Sequence, residues 1–460
     1  MNNQYLNALT SLDGRYAAEL TELSEFLSES ALIRYRVRVE AQWLLFLASE
    51  KTSVLELRSA EKTLLETLAI GSVSDDALHE IKKLERVTSH DVKAVEYWLR
   101  TELIKCGASD LVLSHIHFAC TSEDINNAAY GLMLKDFRSS ILAPMLEKLI
   151  DQIFLFAEDG ASCSMISRTH GQTASPTTIG KEMAVFGYRL NRQLKRINSQ
   201  VVLAKFNGAV GNYNAHHIAY PQMDWLAASK VFVEESLGLV WNPLTTQIES
   251  HDALVELMQA IQLLNSILID FTRDMWGYIS LGYFSQKAVK GEVGSSTMPH
   301  KVNPIYFENA EGNLGLANSL SIHFAEKLPV SRWQRDLSDS TVMRSLGACL
   351  GHSLLAYKNI QKGLLRVEFD KVKMQADLDV AWEVLAEAVQ SVMRRYGVLD
   401  AYERLKKATR GAPAVTRELI FNVVDDCSEM PLEEKKRLKS MKPHNYLGYA
   451  KSLAEGKFGE

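Results

Sequence analysis

Apolar residues recur along most of this chain at helical spacing. From Leu254 the series Leu254, Leu257, Ile261, Leu264, Leu268, Phe271, Met275, Tyr278 steps alternately by three and four. That is a heptad seam of about seven turns, the pattern of helices packed side by side. Ile179, Met183, Phe186, Leu190, Leu194, Ile197 and Val201 keep one stripe over a similar length. So do Leu134, Phe137, Ile141, Met145, Leu149, Ile153 and Phe156, with Pro144 tolerated inside the run. Helices this long bury a stripe only against others of similar length. The pattern therefore predicts a central helical bundle over residues 111–365. Residues 1–110 carry shorter helical patterns (32–50, 59–68, 91–104) and read as an N-terminal helical domain. Residues 366–460 read as a C-terminal helical domain, punctuated by Gly397, Gly411 to Pro413, Pro431 and Pro443. Its dense charge, as in Glu433 to Lys439, reads as a solvated helix face. No repeat and no strand-rich block is visible.

Composition agrees with this all-α reading. The 25 Gly and 10 Pro make up about 8% of the 460 residues, against about 12% in an average protein. Few helix breakers leave little material for a many-turned β architecture. Hydrophobic residues at 47% and charged residues at 23% exclude disorder and low complexity, and supply a large core. The net charge of −5 lacks the basic footprint of a nucleic-acid binder; it leaves room for a local cationic pocket. Cys106, Cys120, Cys163, Cys349 and Cys427 are scattered with no C-x-x-C pair, so neither a disulfide framework nor a zinc ribbon is encoded. The start, Met1 to Tyr5, is polar, and no stretch approaches 18 uninterrupted apolar residues. The expectation is a soluble, untargeted, cytoplasmic protein without a membrane segment.

Four polar stretches interrupt the apolar periodicity: Ser89-His90-Asp91; His117 to Asn127, containing Thr121-Ser122-Glu123-Asp124; Ser167 to Thr173, containing His170-Gly171; and Gly291 to Pro304. Thr121-Ser122 followed by two acids reads equally well as a helix cap. A single histidine such as His170 is commonly a buried, hydrogen-bonded one. His115 and His117, like His216 and His217, are too close in sequence to share a helix face as a metal pair. The fourth stretch is harder to read as structure alone. Glycines, hydroxyls, Lys301 and Asn303 between Pro299 and Pro304 suit an anion-handling lid. No dinucleotide fingerprint, phosphate loop, nucleophile elbow or H-E-x-x-H helix occurs. Neither a cofactor nor a metal is indicated.

The run Gly294-Ser-Ser-Thr-Met-Pro-His-Lys-Val-Asn-Pro304 resembles the signature loop of the fumarase/aspartase superfamily. The segments around Thr121 to Asn126 and Ser167 to Gln172 resemble its other two characteristic regions. Within the superfamily the chain is similar to the adenylosuccinate lyase family in its longer bacterial form. Ser11 to Tyr16, Thr88 to Glu96, Ile116 to Ser122, Asn207 to Ala215 and Trp333 to Thr341 carry that likeness. Ser89 departs from it, standing where Asn is expected before His-Asp. The resemblance implies an all-α, three-domain fold whose central long-helix bundle forms the core of a homotetramer, with active sites shared between subunits. It implies elimination of fumarate from a succinylated aminopurine nucleotide, or from the succinyl-carboxamide imidazole nucleotide.

By the same resemblance Ser295 is the base and His170 the acid, with Glu308 orienting that histidine and His90 a second histidine near the chemistry. Lys301 and Asn303 bind the succinyl carboxylates, and Thr121, Ser122 and Gln247 contact the succinyl group. Arg15, Tyr16, Arg335, Ser340 and Arg344 hold the phosphate, with guanidinium forks suited to it. Ser89, His90 and Asp91 line the base and ribose. Ser296 and Thr341 add substrate contacts, and Asn309 helps close the site. Glu308 is also readable as a first-turn helix acid, and Arg344 and Asn309 as subunit-interface residues. Other superfamily activities, such as argininosuccinate lyase or fumarase, share the loop; a phosphate site separates them. A catalytically dead helical scaffold is the other alternative, against which Ser295 and His170 both stand.

Overall fold

The computed structural model describes residues 5–287, 298, 301–410 and 415–457. The chain divides into two compact units. One comprises the chain to Leu146 with Gln193–Ser266 and Gly312–Ala356; the other comprises Glu147–Arg192, Ile267–Glu311 and the chain from Tyr357.

The first unit is built on helix α1 (Glu29–Leu47). Ser28 caps it, its Oγ accepting from the Ala31 N–H at 3.1 Å. The helix is buried nearly all round, with Trp43 and Phe46 packed against Phe206 and Phe232. Beside it run α2 (Asp75–Thr88) and α3 (Asp91–Lys105). The sequence pattern did not separate α2 as a helix. It is capped by Ser74, begins with two acids and ends at Ser89 in the left-handed region (φ +52°). The unit also contains α4 (Ser122–Phe137).

The long periodic helices are present, with two departures. The run through Pro144 is α4, a single π turn at Arg138–Leu142, then α5 (Ala143–Asp159). Proline has no N–H and its ring collides with the carbonyl four residues back. The wider turn, closed by Ala143 N–H to the Arg138 carbonyl, inserts one residue. The buried stripe therefore shifts to Leu142, Leu146, Leu149 and Ile153, with Ile141 and Met145 only half-buried. The second departure concerns the Ile179 series: α6 (Ile179–Ser199) stops short of Val201, which is exposed. The heptad seam forms α7 (Asp252–Ser280), with Leu257, Ile261, Leu264, Leu268, Phe271 and Met275 all buried. By length and apolar content alone α7 would pass for a membrane span, but this stripe faces protein.

The second unit shows why Ser167 to Thr173 breaks the helical pattern. Strands β1 (Ser164–Thr169) and β2 (Gln172–Thr178) pair antiparallel, with Thr169 opposite Gln172. The two-residue turn between them is His170 (φ +54°) and Gly171 (φ +75°). Two successive positive φ values define the hairpin turn whose twist suits the strands, and glycine favours its second position. After β2, α6 crosses α5 at Gly180. A Cβ there would lie 2.3 Å from the Ala157 carbonyl, so only glycine permits the approach. The unit continues through the first turns of α8 (Ile305–Lys327), up to Glu311, and a C-terminal core around Leu385, Met393, Ile420, Phe421 and Val424. Its helices break near the expected punctuation: one ends just before Gly397 (φ +79°), and another begins immediately after Pro431.

Candidate active site

The joint between α2 and α3 is two residues long. Ser89 ends one helix in the left-handed conformation and His90 caps the next, its Nδ1 accepting from the Lys93 N–H at 3.1 Å. Asp91 is the first residue of α3, where a carboxylate suits the helix dipole. The start of α4 lies alongside: Thr121 N–H donates to Asp124 Oδ2 at 2.8 Å, closing the cap expected there. From the last part of the unit come the loop at Arg335 and the short helix α9 (Ser338–Met343). Together these form a cleft of about 490 Å3 lined by Ser89, His90, Asp91, Ser122, Arg335, Ser340, Thr341 and Arg344, with Glu85, Glu123, Asn126 and Leu337 between them. Eight of the residues picked out in the sequence thus meet in one cavity, drawn from segments as far apart as residues 89 and 344.

Its electrostatics are set by alternating charges. Arg335 Nη2 donates to Glu123 Oε1 at 3.0 Å and its Nη1 to Gln247 Oε1 at 3.2 Å, while its buried Nε has no hydrogen-bond partner among the described residues. Arg344 donates to Glu29 Oε2 and Asp91 Oδ2, both at 2.8 Å. Burial would push the Asp91 carboxyl up, but Arg36 and Arg344 hold it below the usual carboxylate range. Asp339 is likewise held low against its burial by His251 and Arg335. Arg15 and Tyr16 belong to the same unit, in contact with each other (guanidinium to ring centroid 5.7 Å), but do not line the cleft.

Beneath Thr121 lies a buried pair that the sequence did not reveal. His117, at φ +58°, brings its Nδ1 to 2.6 Å from Glu40 Oε1, and Glu96 lies 3.9 Å from its Nε2. Burial alone would lower its pKa, but the Glu40 carboxylate raises it to about 9. The charged form is therefore the one that favours folding. That contribution is complete below 6.5, the ordinary value, and disappears as pH rises through about 9. The thermal midpoint is expected to fall over that window, and Glu40→Gln to flatten the fall; superimposable pH profiles for the two proteins would refute the pairing.

In the second unit, His170 sits exposed at the hairpin tip, with no hydrogen bond to a described residue. Glu308 lies in the first turn of α8, as a first-turn acid should, and accepts from Trp276 Nε1 at 3.1 Å instead of pairing with His170. Asn309 Oδ1 accepts from Asn359 Nδ2 at 2.8 Å. Lys301 is exposed and Asn303 half-buried. Ser295 and Ser296 lie outside the described residues.

Sequence reading did not single out Arg36 or Glu123 as site residues. One signal was available for the first: Arg36 and Glu40 fall on the stripe Leu32, Arg36, Glu40, Trp43, Leu47 of α1, where a charge must be paired.

Residues 14–317 match the family described as Lyase, and residues 331–447 the adenylosuccinate lyase C-terminal family. The adenylosuccinate lyase of Vibrio cholerae is 50% identical over 452 residues, covering 98% of each chain. The chain belongs to the adenylosuccinate lyase family. The Escherichia coli member is 49% identical over 98% of both chains. Among solved structures, the 3-carboxy-cis,cis-muconate lactonizing enzyme of Pseudomonas putida superposes with a TM-score of 0.73 at 22% identity, covering 95% of this chain and 96% of that one. A fumarate lyase from Mesorhizobium gives 0.74 at 17%, covering 95% and 97%. At those identities the likeness is one of fold: the mostly helical fumarase/aspartase type.

Proposed function

We propose that this chain eliminates fumarate from adenylosuccinate, giving AMP, and from the succinyl-aminoimidazole carboxamide ribotide, giving AICAR. The observation that carries the reading is the cleft, where two guanidiniums, Arg335 and Arg344, meet the hydroxyl-bearing Ser340 and Thr341. A doubly charged phosphate is what such a set recognises; fumarate alone would not need it.

The C–H removed lies beside a carboxylate and is a very weak acid. Charge builds on that carboxylate as the proton leaves, so donors must hold it in the transition state. Lys301 and Asn303 have that task, with Ser295 as the base, its alkoxide favoured by the charge of Lys301. The leaving amine takes a proton from His170, since imidazole titrates near neutrality. Thr121, Ser122, Ser296 and Gln247 contact the succinyl group. Ser340 and Thr341 join the two arginines at the phosphate, and His90 with Asp91 lies towards the base and ribose. Arg15 and Tyr16, which lie outside this protomer's cleft, complete the phosphate site from another subunit of the shared site. Glu308 and Asn309 act from the start of α8. The active protein is a homotetramer of three-domain subunits. Support for shared sites comes from the protomer itself, which leaves His170 exposed and bonds Glu308 elsewhere.

The test is fumarate release by the purified protein. Adenylosuccinate should turn over while argininosuccinate and malate are inert, and Ser295→Ala should lower the rate by about 10²- to 10⁴-fold. Turnover of either alternative substrate with none of adenylosuccinate would overturn the reading.

A further inference from the structure

We infer that Arg36 is a positioning residue for the phosphate-binding guanidiniums, setting how firmly each is held by the carboxylates of the cleft. The inference rests on the reading above, in which Arg335 and Arg344 hold the substrate phosphate. Arg36 projects from α1 and is 2% exposed. It does not line the cleft. Its Nη2 donates to Asp91 Oδ2 at 2.7 Å, and its Nε to Asn126 Oδ1 at 2.8 Å. Asp91 Oδ2 is the same oxygen that Arg344 engages at 2.8 Å. Asn126 Nδ2 donates to Glu123 Oε1 at 2.8 Å, the oxygen that Arg335 engages at 3.0 Å. An unbroken chain therefore runs Arg344, Asp91, Arg36, Asn126, Glu123, Arg335, with the buried guanidinium at its centre.

The physical consequence follows from competition. Each cleft guanidinium is held by a carboxylate, and an incoming phosphate must share it or take it. A carboxylate divided between two guanidiniums holds each less tightly. Without the charge at position 36, Asp91 would turn wholly to Arg344. Asn126 would lose the donor that fixes its carbonyl, and with it the alignment of Glu123 under Arg335. A fixed planar fork is what allows one side chain to serve both Asp91 and Asn126. Lysine keeps the charge but makes one of the two contacts well.

Product inhibition separates this role from a structural one, using AMP, adenosine and fumarate as probes. In Arg36→Met the preference for AMP over adenosine should fall about tenfold, a typical size for coupling between residues in one network. The inhibition constants of adenosine and fumarate should stay close to wild type. Arg36→Lys should recover the preference to within about threefold of wild type. Should Arg36→Met fail to fold by calorimetry, Arg36→Gln takes its place, since it keeps a donor without the charge. An unchanged AMP preference, or equal weakening of all three probes, would overturn the inference. A wild-type protein that binds AMP no better than adenosine would instead remove the phosphate site and the proposed function with it.

Discussion

His170→Ala is expected to lower kcat for adenylosuccinate by about 10²- to 10⁴-fold, the contribution of a positioned general acid. Helix content and assembly should be unchanged, because the side chain makes no hydrogen bond to a described residue and sits at an exposed hairpin tip. The backbone complicates the substitution. His170 lies at φ +54°, a conformation that costs an L-residue about 1–2 kcal/mol. Asparagine tolerates it better, and Asn-Gly is a favoured pair for this turn. His170→Asn is therefore the cleaner variant: it keeps the turn and removes the titrating ring. Both variants should bind AMP as wild type does, since the phosphate residues stand on other segments. Loss of kcat with intact AMP binding is the signature of a lost acid. Near-normal turnover in His170→Asn would take this residue out of the proton transfer.

That hairpin also marks where sequence reading reached its limit. The stripe of α7 was legible because eight apolar residues keep one period, with no proline inside it and one glycine, Gly277, only at its far end. The 164–178 hairpin was not, because Arg168, Thr169 and Gln172 face outward on both sides of the turn and no alternation shows. Only the His170-Gly171 pair hinted at a turn. The run through Pro144 continues as helix across the proline, but a π turn leaves no mark in a hydrophobic pattern: Leu142 and Leu146 are buried in place of Ile141 and Met145, while Leu134, Phe137, Leu149 and Ile153 are buried as the pattern predicts. The cleft residues were legible by motif, each as a short string. Their convergence was legible only through the family resemblance, because in the fold it depends on the joint at Ser89 and His90 and on a loop some 245 residues later. Arg36 and Glu123 escaped for a simpler reason: a charge on a helix is ordinarily solvent-facing, and periodicity does not report the partner that lets it be buried.

The same blindness hid the interaction whose loss should cost most stability. Asp124 and Lys205 are both 0% exposed, with Nζ 2.9 Å from Oδ1. The carboxylate does more than neutralise the lysine. It accepts from the backbone N–H of Thr121, Asn207 and Gly208, tying the start of α4 to the 205–208 segment. The Lys205 ammonium also donates to the Gly208 carbonyl at 3.0 Å. Removing one member of a buried pair strands the other and costs about 3–5 kcal/mol. Asp124→Asn should reach that range, because it leaves an ammonium facing an amide and loses acceptor strength towards three N–H groups. Lys205→Met should cost less, since the stranded carboxylate keeps its backbone donors. The double variant should be less destabilised than the sum of the two by about 1–3 kcal/mol, the sign of direct coupling. Denaturant unfolding of the four proteins measures all of this. A loss below about 1 kcal/mol in Asp124→Asn would mean that the pair is dispensable to the fold. Because Asp124 caps the helix that begins at Ser122, catalytic loss should accompany the instability, and fumarate release at low temperature, where the variant stays folded, would separate the displaced Thr121-Ser122 turn from simple unfolding.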